Sequence, residues 1–158
     1  MTSPTDLPGT PDIPIPVTLA RLGALLQPDG WVLDTSGGVL RRRWPHMEIS
    51  LTLREGDGLL MLFQGTGTGE GIPLDRARAV EAFVNDWHRD RIWPTIVVTT
   101  TETVRVHTHV GIDATAGFTA TQLGDNMRIG IGTTHQCFAA LAEAGIVRAG
   151  GSAHPDAG

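Results

Sequence analysis

The sequence predicts an α+β fold: one antiparallel sheet with its helices mainly on one face. Three observations predict it. Segments that are apolar at every second position cluster between helical stretches instead of alternating singly with them. Two of those segments carry polar residues at the intervening positions, the pattern of a sheet with one uncovered face. The turns between segments are short and rich in glycine, aspartate and serine, which suits hairpins. The predicted order is α-βββ(β)-α-ββ-α.

The elements follow from local chemistry. Thr18 is placed to cap a helix with Leu19, Leu22, Leu25 and Leu26 on one stripe, stopped by Pro28-Asp29-Gly30. Trp31–Asp34 and Val39–Arg43 flank Thr35-Ser36-Gly37-Gly38, a hairpin signal. In 46–54, Met47, Ile49, Leu51 and Leu53 share one face, and His46, Glu48, Ser50, Thr52 and Arg54 share the other. Glu55-Gly56-Asp57-Gly58 turns the chain into a strand at 59–64. Pro73 suits the first turn of a second helix, whose stripe is Ala77, Val80, Phe83, Val84 and Trp87. Segments 94–101 and 104–112 read as another hairpin. In the latter, Val104, Val106, Thr108, Val110 and Ile112 face one way, while Arg105, His107, His109 and Gly111 face the other. Thr119 and Gln122 stand at capping-box spacing before a last helix carrying Leu123, Met127, Ile131, Thr134, Phe138 and Leu141. Gly124, Gly130 and Gly132 weaken that helix by ~1 kcal/mol each relative to alanine. Close approach of another backbone explains them, and so does a break near 129–133.

At 158 residues, one domain is expected. Five prolines mark 1–16 as an extended, disordered arm. Residues 149–158 read as a disordered tail, leaving a folded unit of 17–148. No basic stretch precedes an apolar run, and no segment has the ~18 apolar residues needed to span a bilayer, so the expectation is a cytoplasmic protein with no membrane partner.

Composition removes whole reaction classes. All twelve basic side chains are arginine. A chain without lysine forms no Schiff base, anchors no pyridoxal phosphate and builds no Walker loop. Its four serines, Ser3, Ser36, Ser50 and Ser152, lie outside any nucleophile elbow. The single cysteine, Cys137, excludes a disulfide framework and a cysteine-rich zinc site. With a net charge of −5, only Arg41-Arg42-Arg43 beside Trp44 form a basic run. A solvated strand end explains that run, and no nucleic-acid partner is expected.

The remaining motifs are weighed one by one. Gly65-Thr66-Gly67-Thr68-Gly69-Glu70-Gly71 misses dinucleotide spacing, and Glu70 would repel an anion, so a flexible loop is the better reading. His107 and His109 point the same way on a strand, and Asp113 follows, which makes them the sharpest candidate for a metal site. His46, His88 and His135 are possible extra ligands that the sequence does not bring together. Exposed imidazoles on a polar sheet face are the simpler reading. His135 and Cys137 point apart on a helix, leaving Cys137 as a small hydrophobe. Asp86, Arg89, Asp90 and Arg91 read as a solvated helix end. Trp87 and Trp93 read as core packing and a helix-to-strand corner.

The stretch Phe83-Val84-Asn85-Asp86-Trp87-His88-Arg89-Asp90-Arg91-Ile92-Trp93-Pro94 resembles the signature of YbjN-domain proteins. In that family a helix ending in N-x-W-N leads through a charged corner to [FW]-P and a strand. The resemblance in layout runs from about Thr18 to Leu141 and takes in Gly30-Trp31 and Thr119…Gln122-Leu123. His88 replaces the second asparagine. The resemblance implies a twisted antiparallel sheet like that of type III secretion chaperones, a homodimer, and a sensory-transduction regulator with no catalytic residues and no cofactor. It gives Asn85, Trp87, Trp93 and Pro94 a structural role, fixing the helix to the sheet.

The leading expectation is therefore a homodimeric, non-enzymatic module that binds a protein or peptide. Its binding face is expected to be Glu48, Ser50, Thr52, Arg54, Arg105, His107 and His109, or else a sheet edge that accepts a partner strand. The alternative is a metal-dependent enzyme using His107, His109 and Asp113.

Overall fold

The computed structural model describes residues 12–147. Helix α1, Leu19–Leu26, begins where the Thr18 hydroxyl accepts the Arg21 N–H at 3.1 Å. A short 3-10 turn at Gln27–Asp29 ends on Gly30, whose φ of 83° lies in the left-handed region that glycine tolerates. Strands β1 (Val32–Asp34), β2 (Val39–Arg43), β3 (Met47–Glu55) and β4 (Leu59–Gly67) follow as a meander. A 3-10 turn at Leu74–Arg76 leads into α2, Ala77–Asp90. Strands β5 (Thr95–Thr100) and β6 (Val104–Asp113) form the second hairpin, and α3 spans Ala120–Glu143. The six strands make one sheet in the order β1-β2-β3-β4-β6-β5, antiparallel throughout.

The core lies between this sheet and the helices. One row across the sheet pairs Leu40, Leu51, Phe63 and Val110 in register, and none of the four is exposed. Burying each such side chain is worth about 1.5–3 kcal/mol. Val104 and Val106 are buried on the same face, as the alternation in β6 requires. Helix α3 packs over the centre of the sheet, where Gly65 leaves room for it. A methyl at Gly65 would stand 2.6 Å from Thr134 Cγ2 and 3.1 Å from Phe138 Cε2.

Several boundaries differ from expectation. Trp31 is buried but precedes its strand, and Leu25 is 44% exposed, so the α1 stripe narrows to Leu22 and Leu26 with Leu19 half-buried. Helix α2 starts at Ala77, because a tighter turn occupies the residues after Pro73. Helix α3 runs unbroken through 129–133. The predicted capping box is formed: Thr119 Oγ1 accepts the Gln122 N–H, and Gln122 Oε1 accepts the Thr119 N–H.

Of the expected arm at 1–16, residues 12–16 are described. Ile15 and Phe118 exchange backbone bonds of 3.1 and 3.0 Å, and Arg21 donates to the carbonyls of Ile15 and Phe118, both at 2.9 Å. The rest of the arm and the tail at 149–158 lie outside the described residues. No described helix is long and apolar enough to cross a membrane.

Candidate functional site

Among the described residues, α3 packs against one face of the sheet, and no residue on the other face of β3, β4 or β6 is buried, so that face carries the side chains available for contact. Register fixes what stands there. One row runs Arg41, Ser50, Gln64, His109, Thr95, and the next runs Arg43, Glu48, Thr66, His107, Val97. The imidazoles are built into these rows. Gln64 Nε2 lies 3.3 Å from His109 Nε2, while His107 lies 3.3 Å from both Thr66 Oγ1 and Thr99 Oγ1. Burial, then His109, then Arg105 push the His107 pKa down, so the uncharged ring is favoured.

The expected polar face is therefore one continuous surface carrying Glu48, Ser50, Thr52, Arg54, Arg105, His107 and His109. It also holds apolar residues that sequence reasoning missed. Val39, Thr52, Leu62 and Gly111 form a row, and Leu60 stands beside Asp113 and Arg54. The uninterrupted run Leu59-Leu60-Met61-Leu62-Phe63 hides its alternation, so Leu60 and Leu62 carry no sign in the sequence that they face outward.

The metal alternative does not assemble. Asp113 is two strand steps past Gly111 and four past His109, about 13 Å along the strand. Its carboxylate accepts the Thr115 hydroxyl at 2.6 Å and the Thr115 N–H at 2.9 Å, and these bonds hold its pKa below the ordinary value. Among the described residues, no three His, Cys, Asp or Glu side chains are grouped to hold a metal ion.

His46 and His135 meet elsewhere, with ring centroids 6.4 Å apart. Trp44 sits edge-on to His135 at 4.5 Å and stacks beneath Arg42 at 4.8 Å. Burial, then His46, then Arg42 lower the His135 pKa. This cluster joins the 42–46 segment to α3, far apart in the chain, so no local spacing in the sequence announces it. Cys137 points away from it into the core, where burial pushes the thiol pKa up to about 12, far from nucleophilic use.

The glycine-rich segment is no phosphate cradle. Gly65 and Gly67 belong to β4, and the chain leaves them to bridge Ile72 to Val104 instead of opening a helix. A cavity of about 480 Å³ borders the segment, floored by Val104, Val106 and Phe138 and rimmed by His46, Arg105 and Glu70.

At the α2–β5 corner, Trp87 is buried with Phe83 stacked at 5.8 Å and Arg91 over its ring at 4.3 Å. Asn85 is exposed. Trp93 is 39% exposed and joins buried Pro94 through a cis peptide bond. His88 Nε2 accepts the backbone N–H of Ile96 at 3.1 Å, tying the helix to the strand.

Among curated proteins, nothing matches the chain. Among solved structures, it is similar to "YbjN, a putative transcription regulator from E. coli", with a TM-score of 0.69 and 9% identity. The likeness covers 86% of this chain and 99% of that one, and at this identity it is a likeness of fold. Residues 18–143 match the family model YbjN, described as "putative bacterial sensory transduction regulator", and the chain belongs to that family.

Proposed function

We propose that this chain is a non-enzymatic regulatory module that works as a pair of identical copies and binds a stretch of another protein on its uncovered sheet face. The carrying observation is that face itself. It sets Val39, Leu60, Leu62 and Val97 among Ser50, Gln64, Thr66, His107 and His109, so apolar area and hydrogen-bonding groups are interleaved. That mixture suits a polypeptide, which offers side chains and backbone amides together. The absence of lysine and the lack of a nucleophile elbow in the sequence favour binding over covalent catalysis.

The test has two parts. Light scattering is expected to return twice the 16.8 kDa chain mass. Affinity capture from the native host is expected to recover a defined polypeptide with the wild-type protein and lose it with Leu62→Arg. A monomer that captures nothing in repeated trials refutes the proposal.

A further inference from the structure

The uncovered face is unevenly charged. The chain carries a net charge of −5, yet one half of that face is basic. Arg41 and Arg43 stand on β2, and register carries their rows across to His109 and His107 on β6. Arg105 lies on the same face of β6, one row beyond His107. All three arginines are exposed. Among the described residues, ion pairs form between Asp86 and Arg89 and between Asp125 and Arg128, but at none of these three.

The carboxylates nearby leave that charge standing. Asp34, on β1, accepts the Ser36 hydroxyl at 2.6 Å and the Ser36 N–H at 3.0 Å, both within its own turn. Asp113 is held by Thr115 in the same way. Glu70 and Glu102 lie on loops beyond the strands. Within the basic rows, Glu48 alone stands against three guanidinium groups, opposite Arg43 and half-buried. Arg43 and Arg105 are separated by three strand spacings and one row, about 16 Å, which is the length of roughly five extended residues. Thr66 and His107 lie between them. A guanidinium is a planar fork that grips a carboxylate through two parallel bonds.

We infer that this half of the uncovered face binds an acidic, extended segment of the partner polypeptide, with carboxylates seated on Arg41 and Arg43 at one end and on Arg105 at the other. This rests on the polypeptide-binding reading above and names the chemistry of the partner. Charge complementarity selects the segment, and the spacing of the arginines sets its length. A single-stranded nucleic acid fits less well. It stacks its bases on aromatic faces, whereas these rows hold no phenyl, phenol or indole ring, and His107 and His109 are engaged by Thr66, Thr99 and Gln64. Leu62 and Val97 beside the arginines offer contact that side chains of a polypeptide use and a phosphate backbone does not.

The test is fluorescence anisotropy with three labelled probes: the peptide Glu-Glu-Thr-Val-Thr-Ser-Glu-Glu, the same peptide with glutamine for every glutamate, and a twelve-nucleotide oligothymidylate. The acidic peptide is expected to bind the wild type about tenfold tighter than the glutamine peptide and to weaken as salt rises. Arg41→Gln, Arg43→Gln and Arg105→Gln are each expected to weaken it about two- to fivefold, and the triple variant by more than about tenfold, with the circular dichroism spectrum unchanged. Glu48→Gln is expected to tighten it, and Arg78→Gln, exposed on α2, to leave it unchanged. The inference is overturned if the acidic peptide does not bind, if the glutamine peptide binds as tightly, or if the triple variant binds like the wild type. Tighter binding of the oligothymidylate, lost in the triple variant, assigns the patch to nucleic acid and overturns it as well. If it fails while Leu62→Arg still abolishes capture of a host polypeptide, the sheet-face reading stands. If neither peptide binds and nothing is captured, both fall.

Discussion

Alanine substitution at the glycines of α3 separates two opposing effects within one helix. A helical glycine costs ~1 kcal/mol relative to alanine, so substitution is stabilising wherever the methyl finds space. Gly132 and Gly124 have that space, with nothing among the described residues within 4 Å of the added carbon. At Gly130 the same carbon falls 2.7 Å from Phe63 Cγ, and closer still to Cδ2 and Cε2. Phe63 is fully buried in the central row of the sheet, and a planar ring held on both sides has nowhere to turn. Overpacking of this kind costs about 1–3 kcal/mol, which meets or exceeds the helical gain. Gly132→Ala is therefore expected to raise stability by about 1 kcal/mol, and Gly130→Ala to lower it by about 0–2 kcal/mol. At roughly 3 °C per kcal/mol for a domain of this size, the two melting temperatures should differ by about 3–9 °C. Thermal denaturation followed by circular dichroism reads this directly. If Gly130→Ala melts at or above Gly132→Ala, the claim that Phe63 dictates glycine at 130 is wrong.

Three further expectations follow from the buried polar groups. Among the described residues, Thr108 Oγ1 is buried in the core without a hydrogen-bond partner. Thr108→Val should therefore raise stability by about 1–3 kcal/mol in urea denaturation, and a loss would reveal a hidden partner. The His107 and His135 pKa values are lowered from 6.5 mainly by burial, so the folded state holds fewer protons than the unfolded one. Their contribution is complete above 6.5 and is lost as pH falls through the lowered folded values. The melting temperature should drop across that window, and His107→Gln with His135→Gln should flatten the drop; an unchanged slope would refute the assignment. Cys137 should react with a thiol reagent only as fast as the protein unfolds, since its thiol is both buried and protonated. Labelling at the rate of an exposed thiol in native buffer would contradict this.

How much of this was legible in the sequence depended on whether the relevant signal was local. Strands β3 and β6 alternate strictly, so Ile49 inside and His107 outside were both readable before the fold was seen. Strand β4 was not readable in that way, because both of its faces are apolar along Leu59–Phe63 and the core-facing set is fixed only by register with β3. The glycines of α3 posed a similar problem. A helical period locates Gly130 and Gly132 but says nothing of the Phe63 ring that one meets and the other avoids. The free edge of β5 was invisible as well, since sequence order does not reveal that β6, and not β5, lies beside β4. The capping box of α3 could be read because both partners lie three residues apart, whereas the bond from His88 to Ile96 at the α2–β5 corner carried no sign in the sequence.

The order β1-β2-β3-β4-β6-β5 has a consequence for how the chain assembles. The first four strands zip together through tight reversals, each closing a short loop at little entropic cost. The seam between β4 and β6 forms only after the whole of α2 and β5 has been looped out. The loss of chain freedom concentrates there and not in the hairpins. Contacts across that seam, Phe63 against Val110 among them, join the residues farthest apart in sequence of any strand pair in the sheet and so carry its largest loop-closure cost.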